Sequence, residues 1–297
     1  MLAAFERPGR FYRGNLHCHS TLSDGELSPE AVCRFYRQNG YDFICLSDHF
    51  LARYGFPIAD TIPLRTDGFT TILGAEIHAP AIANGEIWHI LAVGLPADFA
   101  PTGADETGPA LAARAHAAGA FVALPHPEWY ALTPADAATI ADFHAIEVFN
   151  ADCDFECARG EGSALLDQVL GAGRKIGAIA VDDAHFYQDE APAGWVHVKV
   201  EDNDPDALLA ALKDGAYYAS QGPKIERITR EGDTLAFETS AVRSIHLLGP
   251  GAKQVGVRGV AITRGRLPLA KFAGAWCRAV IVDEAGRKAW TNPLWLD

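Results

Sequence analysis

The chain has 297 residues, which is enough for one large domain and a smaller second unit. It carries 25 Lys and Arg against 38 Asp and Glu, a formal net charge of −13, and its hydrophobic fraction of 49% is typical of globular proteins. The negative charge argues against a groove for long nucleic acid, because neutralising phosphates requires a basic surface. It does not exclude a small anionic substrate, since bound metal ions reverse the local potential.

The cysteines and the apolar segments indicate the cell compartment that we expect. Six cysteines lie at positions 18, 33, 45, 153, 157 and 277, without the spacing of a disulfide framework. This pattern is typical of reduced thiols, so we expect a cytoplasmic protein. The sequence has no run of about 18 apolar residues and no apolar core of a signal peptide, so we expect no association with a membrane.

The first predicted strand, residues 15–19, carries two histidines two positions apart. His17 and His19 are expected to leave the same face of this strand, while Cys18 points the other way. Imidazole is a common nitrogen ligand of protein-bound metals, so this pair forms half of a metal site. Asp24 follows in a glycine-marked turn, which brings a carboxylate back over the end of the strand.

A helix and a buried strand follow. The helix is predicted over residues 29–39, with Ser28 as its N-cap and Pro29 at its first position. The strand is predicted over residues 42–47, because this run is almost entirely apolar, and it leads directly to His49. An imidazole therefore follows the end of a second strand.

The third and fourth predicted strands each contain a candidate ligand. Glu76 lies near the end of residues 70–77, and His89 lies within residues 87–95. Because His89 is inside its strand, it could instead be a hydrogen-bonded core residue. His78, two residues after Glu76, is the alternative ligand, and the sequence leaves this choice open.

Helices and strands then alternate. We predict helices over residues 108–118, 134–142 and 162–170, and strands over residues 121–124, 145–149 and 176–181. This alternation is typical of parallel βαβ units, and about seven such strands predict a closed or nearly closed barrel. In barrels of this kind the chemistry lies at the carboxyl ends of the strands.

Polar residues follow the predicted strands where a barrel places its active site. They are His49, Glu76, His126, Asn150, Asp183 and His185. Together with His17, His19, Asp24 and His89 they supply six imidazoles and three ligating carboxylates, which is enough for two or three divalent ions. A mixture of nitrogen and oxygen ligands fits Zn²⁺, Fe or Mn²⁺ and disfavours Mg²⁺ or Ca²⁺.

The pattern of predicted secondary structure changes near residue 224. A helix over residues 206–213 and a strand over residues 217–220 come before the change. After it, we predict short strands over residues 234–239, 242–248 and 276–282, separated by Gly and Pro. We therefore expect an α/β barrel domain at residues 1–223 and a small antiparallel β domain at residues 224–297.

Seven short motifs occur in an order that is itself informative. They are His17-x-His19, Asp24-Gly25, Ser47-Asp48-His49, Gly74-Ala75-Glu76, His89-Ile90-Leu91, Pro125-His126-Pro127 and Asp183-Ala184-His185. Over residues 15–187 the chain resembles the PHP family, the polymerase and histidinol phosphatase domain. The resemblance implies a distorted (β/α)7 barrel, metal-dependent phosphoesterase chemistry and a site for three metal ions.

The resemblance also implies which residues hold each ion. The implied sets are His17, His19, Glu76 and Asp183 for the first ion, Glu76, His126 and His89 for the second, and Asp24, His49 and His185 for the third. Some family members have His where this chain has Asp24, which should alter the affinity of the third site. We assign Glu76, Asp183 and His185 to the catalytic step, and Asn150 and Arg159 are candidate contacts to the substrate.

The resulting hypothesis is a metal-dependent phosphoesterase that hydrolyses a small phosphorylated metabolite or nucleotide with a metal-activated hydroxide. Two alternatives stay open. Residues 289–295 resemble the end of a family branch that also contains aryl-carbamate hydrolases, so the same site could hydrolyse a carbamate or carboxylic ester. The chain could also be an inactive metal-binding or regulatory module, and its oligomeric state is open.

Overall fold

The structure, a computed structural model, describes residues 1–296. Sixteen strands form one sheet, onto which seven α-helices pack. The strands are β1 Arg10–Asn15, β2 Phe43–Leu46, β3 His49–Phe50, β4 Thr70–Ala79, β5 Trp88–Val93, β6 Phe121–Leu124, β7 Ala145–Asn150, β8 Gly177–Val181, β9 Trp195–Val200, β10 Tyr217–Ser220, β11 Ile225–Glu231, β12 Thr234–Leu248, β13 Gln254–Pro268, β14 Trp276–Val282, β15 Lys288–Thr291 and β16 Leu294–Trp295. The helices are α1 Ala3–Glu6, α2 Pro29–Gln38, α3 Gly108–Ala117, α4 Pro134–Thr139, α5 Ala151–Cys157, α6 Ser163–Gly171 and α7 Pro205–Lys213.

Helix starts follow from local sequence. Ser28 accepts a hydrogen bond from the backbone N–H of Ala31, so α2 begins at the predicted cap. In α4, Thr133 and Asp136 form a capping box in which each side chain accepts from the other residue's backbone N–H. All five predicted helices are present, whereas α1 and α5 were not predicted.

Seven strands, β1, β2, β4, β5, β6, β7 and β8, lie next to one another in that order. Four of the neighbouring pairs are parallel, as βαβ units require, but β5 runs antiparallel to both β4 and β6. A loop without a helix connects β4 to β5, so the chain turns straight back as in a hairpin. The regular parallel alternation expected from the sequence is interrupted at this strand.

The ends of this series approach each other without closing. Between β8 and β1 the only bridge in residues 1–296 joins Cys18 to Ala184, just past both strands. Two backbone hydrogen bonds support it, from Asp183 N to His17 O at 2.8 Å and from His19 N to Ala184 O at 2.9 Å. The predicted mixed α/β fold is confirmed, but the distorted (β/α)7 barrel is not. On its other side β1 pairs antiparallel with β9, a strand that the sequence analysis missed.

One end of this open barrel is covered by the core, and the other is accessible to solvent. Helix α7 packs Leu208 and Leu212 against Phe43 and Phe121, the first residues of β2 and β6. These residues lie at the amino ends of parallel strands, so α7 covers that end. The carboxyl ends stay accessible, which is where the polar residues gather.

The carboxy-terminal strands form the antiparallel unit that the sequence predicted, in the order β11, β12, β14, β15, with β13 paired along β12. The two predicted segments of β12 are one strand, bent by register shifts around Val242. β15 pairs with β10, so the sheet runs across position 223 and the expected domain boundary stays a prediction. Asn292 fixes this region to the barrel by accepting a hydrogen bond from Ala178 N at 2.9 Å.

Two further features bear on the sequence analysis. All six cysteines are free thiols. In the part of the chain that the structure describes, the longest α-helices have 10 residues, and none has the length and apolar character needed to cross a membrane.

Candidate metal centre

The nine predicted ligands come together at the accessible end of the barrel strands. The first pair differs from expectation in one respect, because β1 ends at Asn15 and His17 and His19 lie in the extended segment after it. His49 is in β3 and Glu76 in β4, side by side in parallel register. The remaining ligands are His89 in β5, His126 after β6, Asp183 and His185 after β8, and Asp24 in the turn after His19.

Glu76 lies at the centre of the cluster. Its carboxylate is fully buried, and six imidazoles approach it within 4 Å. The nearest nitrogens are His49 Nδ1 at 2.6 Å from Oε2, His89 Nδ1 at 2.6 Å from Oε1 and His126 Nε2 at 3.0 Å from Oε1. A carboxylate with separate imidazoles at each oxygen has the arrangement of a bridging ligand.

Asp183 is the second shared carboxylate. Its Oδ1 lies 3.0 Å from His17 Nε2 and 2.9 Å from His19 Nε2, and its Oδ2 lies 3.9 Å from His126 Nε2. His17 and His19 also approach Glu76 Oε2 at 3.7 and 3.8 Å. The His-x-His pair therefore faces both carboxylates at once.

A third group of ligands surrounds Asp24. His49 Nε2 is 3.4 Å from Asp24 Oδ2, His185 Nε2 is 3.5 Å from Oδ1, and His19 Nδ1 is 4.0 Å from Oδ1. Ligand atoms of these four residues lie within 4.8 Å of one another, which is close enough to share one ion. The set Asp24, His49 and His185 is the third set named above, with His19 added.

His78 and His89 both face the cluster. They are directly opposite each other on β4 and β5. His78 Nδ1 lies 3.2 Å from the Trp88 carbonyl oxygen, and its Nε2 lies 3.6 Å from Glu76 Oε2. His89 is closer to Glu76, at 2.6 Å, and both imidazoles belong to the same potential metal group.

The ligand atoms of the cluster do not satisfy one another with hydrogen bonds, and metal ions fit as their further partners. Within the described residues, five buried polar atoms of the cluster form no hydrogen bond of acceptable geometry, although two of them lie within 3.0 Å of another ligand atom: His17 Nε2, His19 Nδ1, Asp24 Oδ1, Glu76 Oε2 and His126 Nδ1. Buried polar atoms are normally paired, so this many in one place require a further partner. Neutral imidazoles and carboxylates around a common centre are the ligands of Zn²⁺, Fe or Mn²⁺.

The electrostatics of the cluster are consistent with this donor set. Burial opposes the charge of Glu76, but the imidazoles of His49, His89 and His78 hold its pKa well below the usual range. Burial lowers the pKa of His78 well below its ordinary value, and burial also lowers that of His89. Glu76 is thus ionised and His78 and His89 are neutral, as metal ligands must be. Although burial opposes it, the neighbouring carboxylates raise the pKa values of His17, His49 and His126.

Two of the ligands have backbone conformations that are unfavourable for residues other than glycine. His126 has φ of 27° and Asp183 has φ of 55°. Both follow directly on strands, where the chain turns and the side chain is directed into the site. Such strain is typical of functional positions held in place by the surrounding structure.

Glu147 is a functional residue that the sequence analysis missed. It is buried in β7, and its Oε1 lies 2.7 Å from His17 Nδ1, while its Oε2 accepts from the backbone N–H of His126 at 2.7 Å. It therefore fixes the orientation of one ligand and the position of another. The available signal was an acidic residue inside the otherwise apolar strand Ala145–Asn150.

The two predicted substrate contacts stay predictions, and neither residue is among the described residues that line the cleft. Asn150 is fully buried, its amide donates to Glu147 and Asp183 at 2.9 Å, and its oxygen accepts from Cys153 N, so it has no free group for a substrate. Its place in the structure is that of a residue that positions Asp183. Arg159 is on the surface, with its guanidinium 3.5 Å from the Trp129 carbonyl oxygen, and does not line the cleft.

The cluster opens into a cleft of about 400 Å³. Exposed apolar side chains stand at its edge, namely Ile87, Trp129 and Tyr187. Arg53 is the one Lys or Arg among the described lining residues, whereas Glu86, Asp152, Glu156 and Glu190 add acidic groups. Burial and the neighbouring Asp183 raise the pKa of Asp152 to about 8.

No protein-family model matches the chain, and no curated protein matches it. Among solved structures, the chain is similar to a two-domain protein from Bacteroides vulgatus, described as containing a predicted PHP-like metal-dependent phosphoesterase. The identity is 16%, the TM-score is 0.55, and the match covers 98% of each chain. The chain shares the overall fold of this two-domain protein. This confirms the fold resemblance expected from the seven ordered motifs.

Two other solved structures give weaker matches. One is a candidate metal-dependent phosphoesterase from Bifidobacterium adolescentis, with 14% identity and a TM-score of 0.43 over 67% of this chain and 96% of that one. The other is an amidohydrolase from Chromobacterium violaceum with bound sulfate and no metal, with 14% identity and a TM-score of 0.41 over 58% of this chain and 87% of that one. Both TM-scores are lower, so the fold assignment rests on the two-domain protein.

Proposed function

We propose that this protein is a metal-dependent phosphoesterase that hydrolyses a small phosphorylated molecule. The observation that carries the proposal is the convergence of imidazoles on two shared carboxylates, Glu76 and Asp183, with buried donor atoms left unpaired. The two-domain protein of the same fold is described as containing a PHP-like phosphoesterase, which supports the same chemistry.

The proposed ligand sets are those stated from the sequence, with Glu76 shared. His17, His19, Glu76 and Asp183 hold the first ion, Glu76, His89 and His126 the second, and Asp24, His49 and His185 the third. His78 is placed to join or replace His89 at the second ion, because both face Glu76. Divalent ions at such a site supply an activated water and neutralise the charge of phosphoryl oxygens.

The chain's own residues orient this centre and the substrate. Glu147 fixes the ring of His17, and Asn150 holds Asp183 through its amide group. Exposed apolar residues at the edge of the cleft, Ile87, Trp129 and Tyr187, fit an apolar or aromatic group attached to the phosphate. We therefore propose a phosphate monoester or nucleotide with such a group as the substrate.

Metal analysis combined with a phosphate-release screen tests the proposal. The purified full chain is expected to contain two to three divalent ions and to release phosphate from an aryl phosphate, nucleotides or sugar phosphates. Glu76→Gln removes the shared charge and should lower the rate at least about 100-fold. Glu201→Gln, an exposed acid outside the cleft, is the matched control and should retain the parental rate.

Two outcomes would contradict the proposal. Turnover of aryl acetates or carbamates without turnover of any phosphate ester would assign the site to carbamate or carboxylic ester hydrolysis. A protein that stays inert towards all of these esters after addition of Mn²⁺, Fe²⁺ or Zn²⁺ would instead indicate a binding or regulatory module.

A further inference from the structure

Charge is unevenly distributed along the chain. Residues 224–297 carry 12 Lys and Arg against 7 Asp and Glu, whereas residues 1–223 carry 13 against 31. The carboxy-terminal strands are therefore basic within an acidic protein. A local excess of positive charge on one unit is a feature of surfaces that meet anions.

In one half of the β12–β13 sheet the arginines are paired with acids. Arg227 and Arg264 flank Glu238 from the two neighbouring strands, at 3.9 and 3.6 Å. Arg266 contacts Glu231 at 2.6 Å. These cross-strand pairs neutralise the positive charge of this half.

The other half of the same sheet contains arginines without acidic partners. Arg243 and Arg258 line a shallow pocket of about 440 Å³ together with Ser244, His246, Gly259 and Val282. Within residues 1–296, neither guanidinium has an ion pair or a hydrogen bond. An acid close to this region along the sheet, Glu284, accepts a hydrogen bond from Ala261 N instead.

The pairing of β12 with β13 and β14 brings the residues of this pocket together. Ser244 lies between Arg258 on β13 and Val282 on β14. The register of β12 shifts on both sides of Val242, so the consecutive residues Arg243 and Ser244 both line the pocket. Opposite His246 stands Gly256, where a Cβ would lie 2.5 Å from the imidazole Nδ1. Glycine at this position leaves room for the ring.

We propose that this pocket, formed by Arg243, Ser244, His246 and Arg258, binds a phosphate group. Two guanidinium groups provide forked donors and a charge of +2, which matches a phosphate dianion. The Ser244 hydroxyl and the His246 ring add neutral hydrogen-bonding groups beside them. Burial and the charge of Arg258 lower the pKa of His246, so its imidazole is a neutral partner at pH 7.

The pocket is separate from the metal centre and does not depend on its chemistry. Val282 is paired with Lys288 of β15, whose ammonium group lies 2.5 Å from Glu161 of the barrel. The phosphate site thus belongs to the face of the β unit that borders the barrel. A phosphate monoester and a nucleic-acid backbone offer the same group, and the two sources differ in charge per phosphate and in salt dependence.

Site-resolved NMR of the full-length protein, titrated with inorganic phosphate at constant ionic strength, tests the proposal. The backbone amides of Ser244, His246 and Arg258 should shift with a saturable dependence on phosphate, and sodium acetate should not reproduce the shifts. Phosphate at the metal centre would move different resonances, so failure of this proposal is distinguishable from failure of the proposed enzyme.

Matched variants give the second part of the test. Arg243→Gln and Arg258→Gln should each weaken phosphate binding about tenfold or more, because each removes a charge-assisted donor. Arg264→Gln, which removes a paired arginine of the same sheet, should leave the affinity unchanged. Equal affinities in all variants, or the same shifts with acetate as with phosphate, would overturn the proposal.

A single-stranded oligonucleotide of ten residues identifies the source of the phosphate. Binding that shifts the same amides, falls steeply with salt and is lost in Arg258→Gln would support a nucleic-acid backbone. Saturation by inorganic phosphate without oligonucleotide binding would support a small phosphorylated ligand. Absence of both would overturn the phosphate site.

Discussion

The barrel strands and the carboxy-terminal strands use charged residues in opposite ways. In the barrel, acids outnumber bases, and the buried acids Glu76 and Asp183 are crowded by imidazoles that leave donor atoms unpaired. In the carboxy-terminal strands bases outnumber acids, and Arg243 and Arg258 stand without carboxylates. The first arrangement suits cations and the second suits anions. A net charge of −13 averages over two regions of opposite charge.

The largest expected effect tests whether these two regions fold as one unit. Trp290 of β15 is fully buried in the core cluster of the barrel and stacks on Phe149 with ring centroids 6.4 Å apart. Trp290→Ala should lower the free energy of unfolding by about 3–5 kcal/mol. Chemical denaturation followed by far-UV circular dichroism and by tryptophan fluorescence measures it.

The control for that substitution is Val260→Ala, because Val260 is 90% exposed on β13 and should change stability by less than about 0.5 kcal/mol. A single transition, shifted as a whole in Trp290→Ala, is the expected result. Two separate transitions, with only one of them shifted, would mean that the regions are energetically independent.

The next largest effect is on metal affinity, and it tests whether Glu147 supports the proposed cation site. Glu147→Gln weakens the hydrogen bonds to His17 and to the His126 backbone without changing the shape of the side chain. We expect metal affinity to fall about 10–100-fold, as for residues that orient ligands. Competition with a chromophoric chelator measures the affinity.

Glu161→Gln, which removes a surface acid paired with Lys288, is the matched control and should bind metal as the parent does. Parental affinity in Glu147→Gln would show that the His17 ring is oriented by other contacts.

A pH effect of similar size arises where β9 joins the two regions. Burial and the charges of Arg13 and Lys224 lower the pKa of His197 to about 3, and its Nε2 accepts from Trp195 Nε1 at 3.0 Å. The folded state therefore keeps this imidazole neutral, while the unfolded chain binds a proton below about pH 6.5. Stability should fall as the pH drops from about 6.5 towards 3.

Comparison with His197→Gln isolates this contribution. Between pH 7 and pH 5 the parent should lose about 2 kcal/mol more than the variant, measured by urea denaturation at each pH. His116→Gln, at an exposed position, should follow the parent. Parallel losses in the parent and in His197→Gln would contradict the assigned pKa.

The smallest expected effect is on KM, and it tests whether the apolar edge of the cleft binds the aryl group of a substrate. Trp129→Ala should raise KM for an aryl phosphate about threefold to tenfold and leave kcat nearly unchanged, because the indole lines the cleft where we propose that the aryl group binds, away from the reacting atoms. Steady-state kinetics with an aryl phosphate and with a small alkyl phosphate distinguish a contact to the aryl group from an effect on the whole site. An equal change for both substrates would mean that Trp129 acts on the site rather than on the aryl group.

The convergence of the predicted metal ligands could be anticipated because these residues interrupt apolar strands in a way that chance rarely produces. His126 and Asp183 follow β6 and β8, His49 begins β3 and Glu76 lies within β4. The rule that the carboxyl ends of barrel strands meet was enough to predict that these residues lie close together. The direction of β5 and the presence of β9 could not be predicted, because strand direction depends on pairing with distant segments. The parallel barrel was therefore expected to be more regular than it is.

Residues that support the ligands were harder to identify. Glu147 is one acid in an apolar strand, and only the fold brings it to His17 and His126. Asn150 was predicted to contact the substrate, because its hydrogen bond to Asp183 forms only when two separate segments, β7 and the residues after β8, come together. The pocket of Arg243 and Arg258 depends on a register shift that the sequence pattern does not reveal.

Asn292 limits where the chain can be truncated or fused. Its side chain bonds Ala178 at the start of β8 and the carbonyls of Gly215 and Tyr217, and Gly177 has no room for a Cβ beside it. The strand that ends at Asp183 is thus anchored by a residue synthesised more than a hundred positions later. A nascent ribosome-bound chain lacks this anchor until residue 292 has emerged. Truncations and fusions that free residues 1–223 would leave this anchor behind.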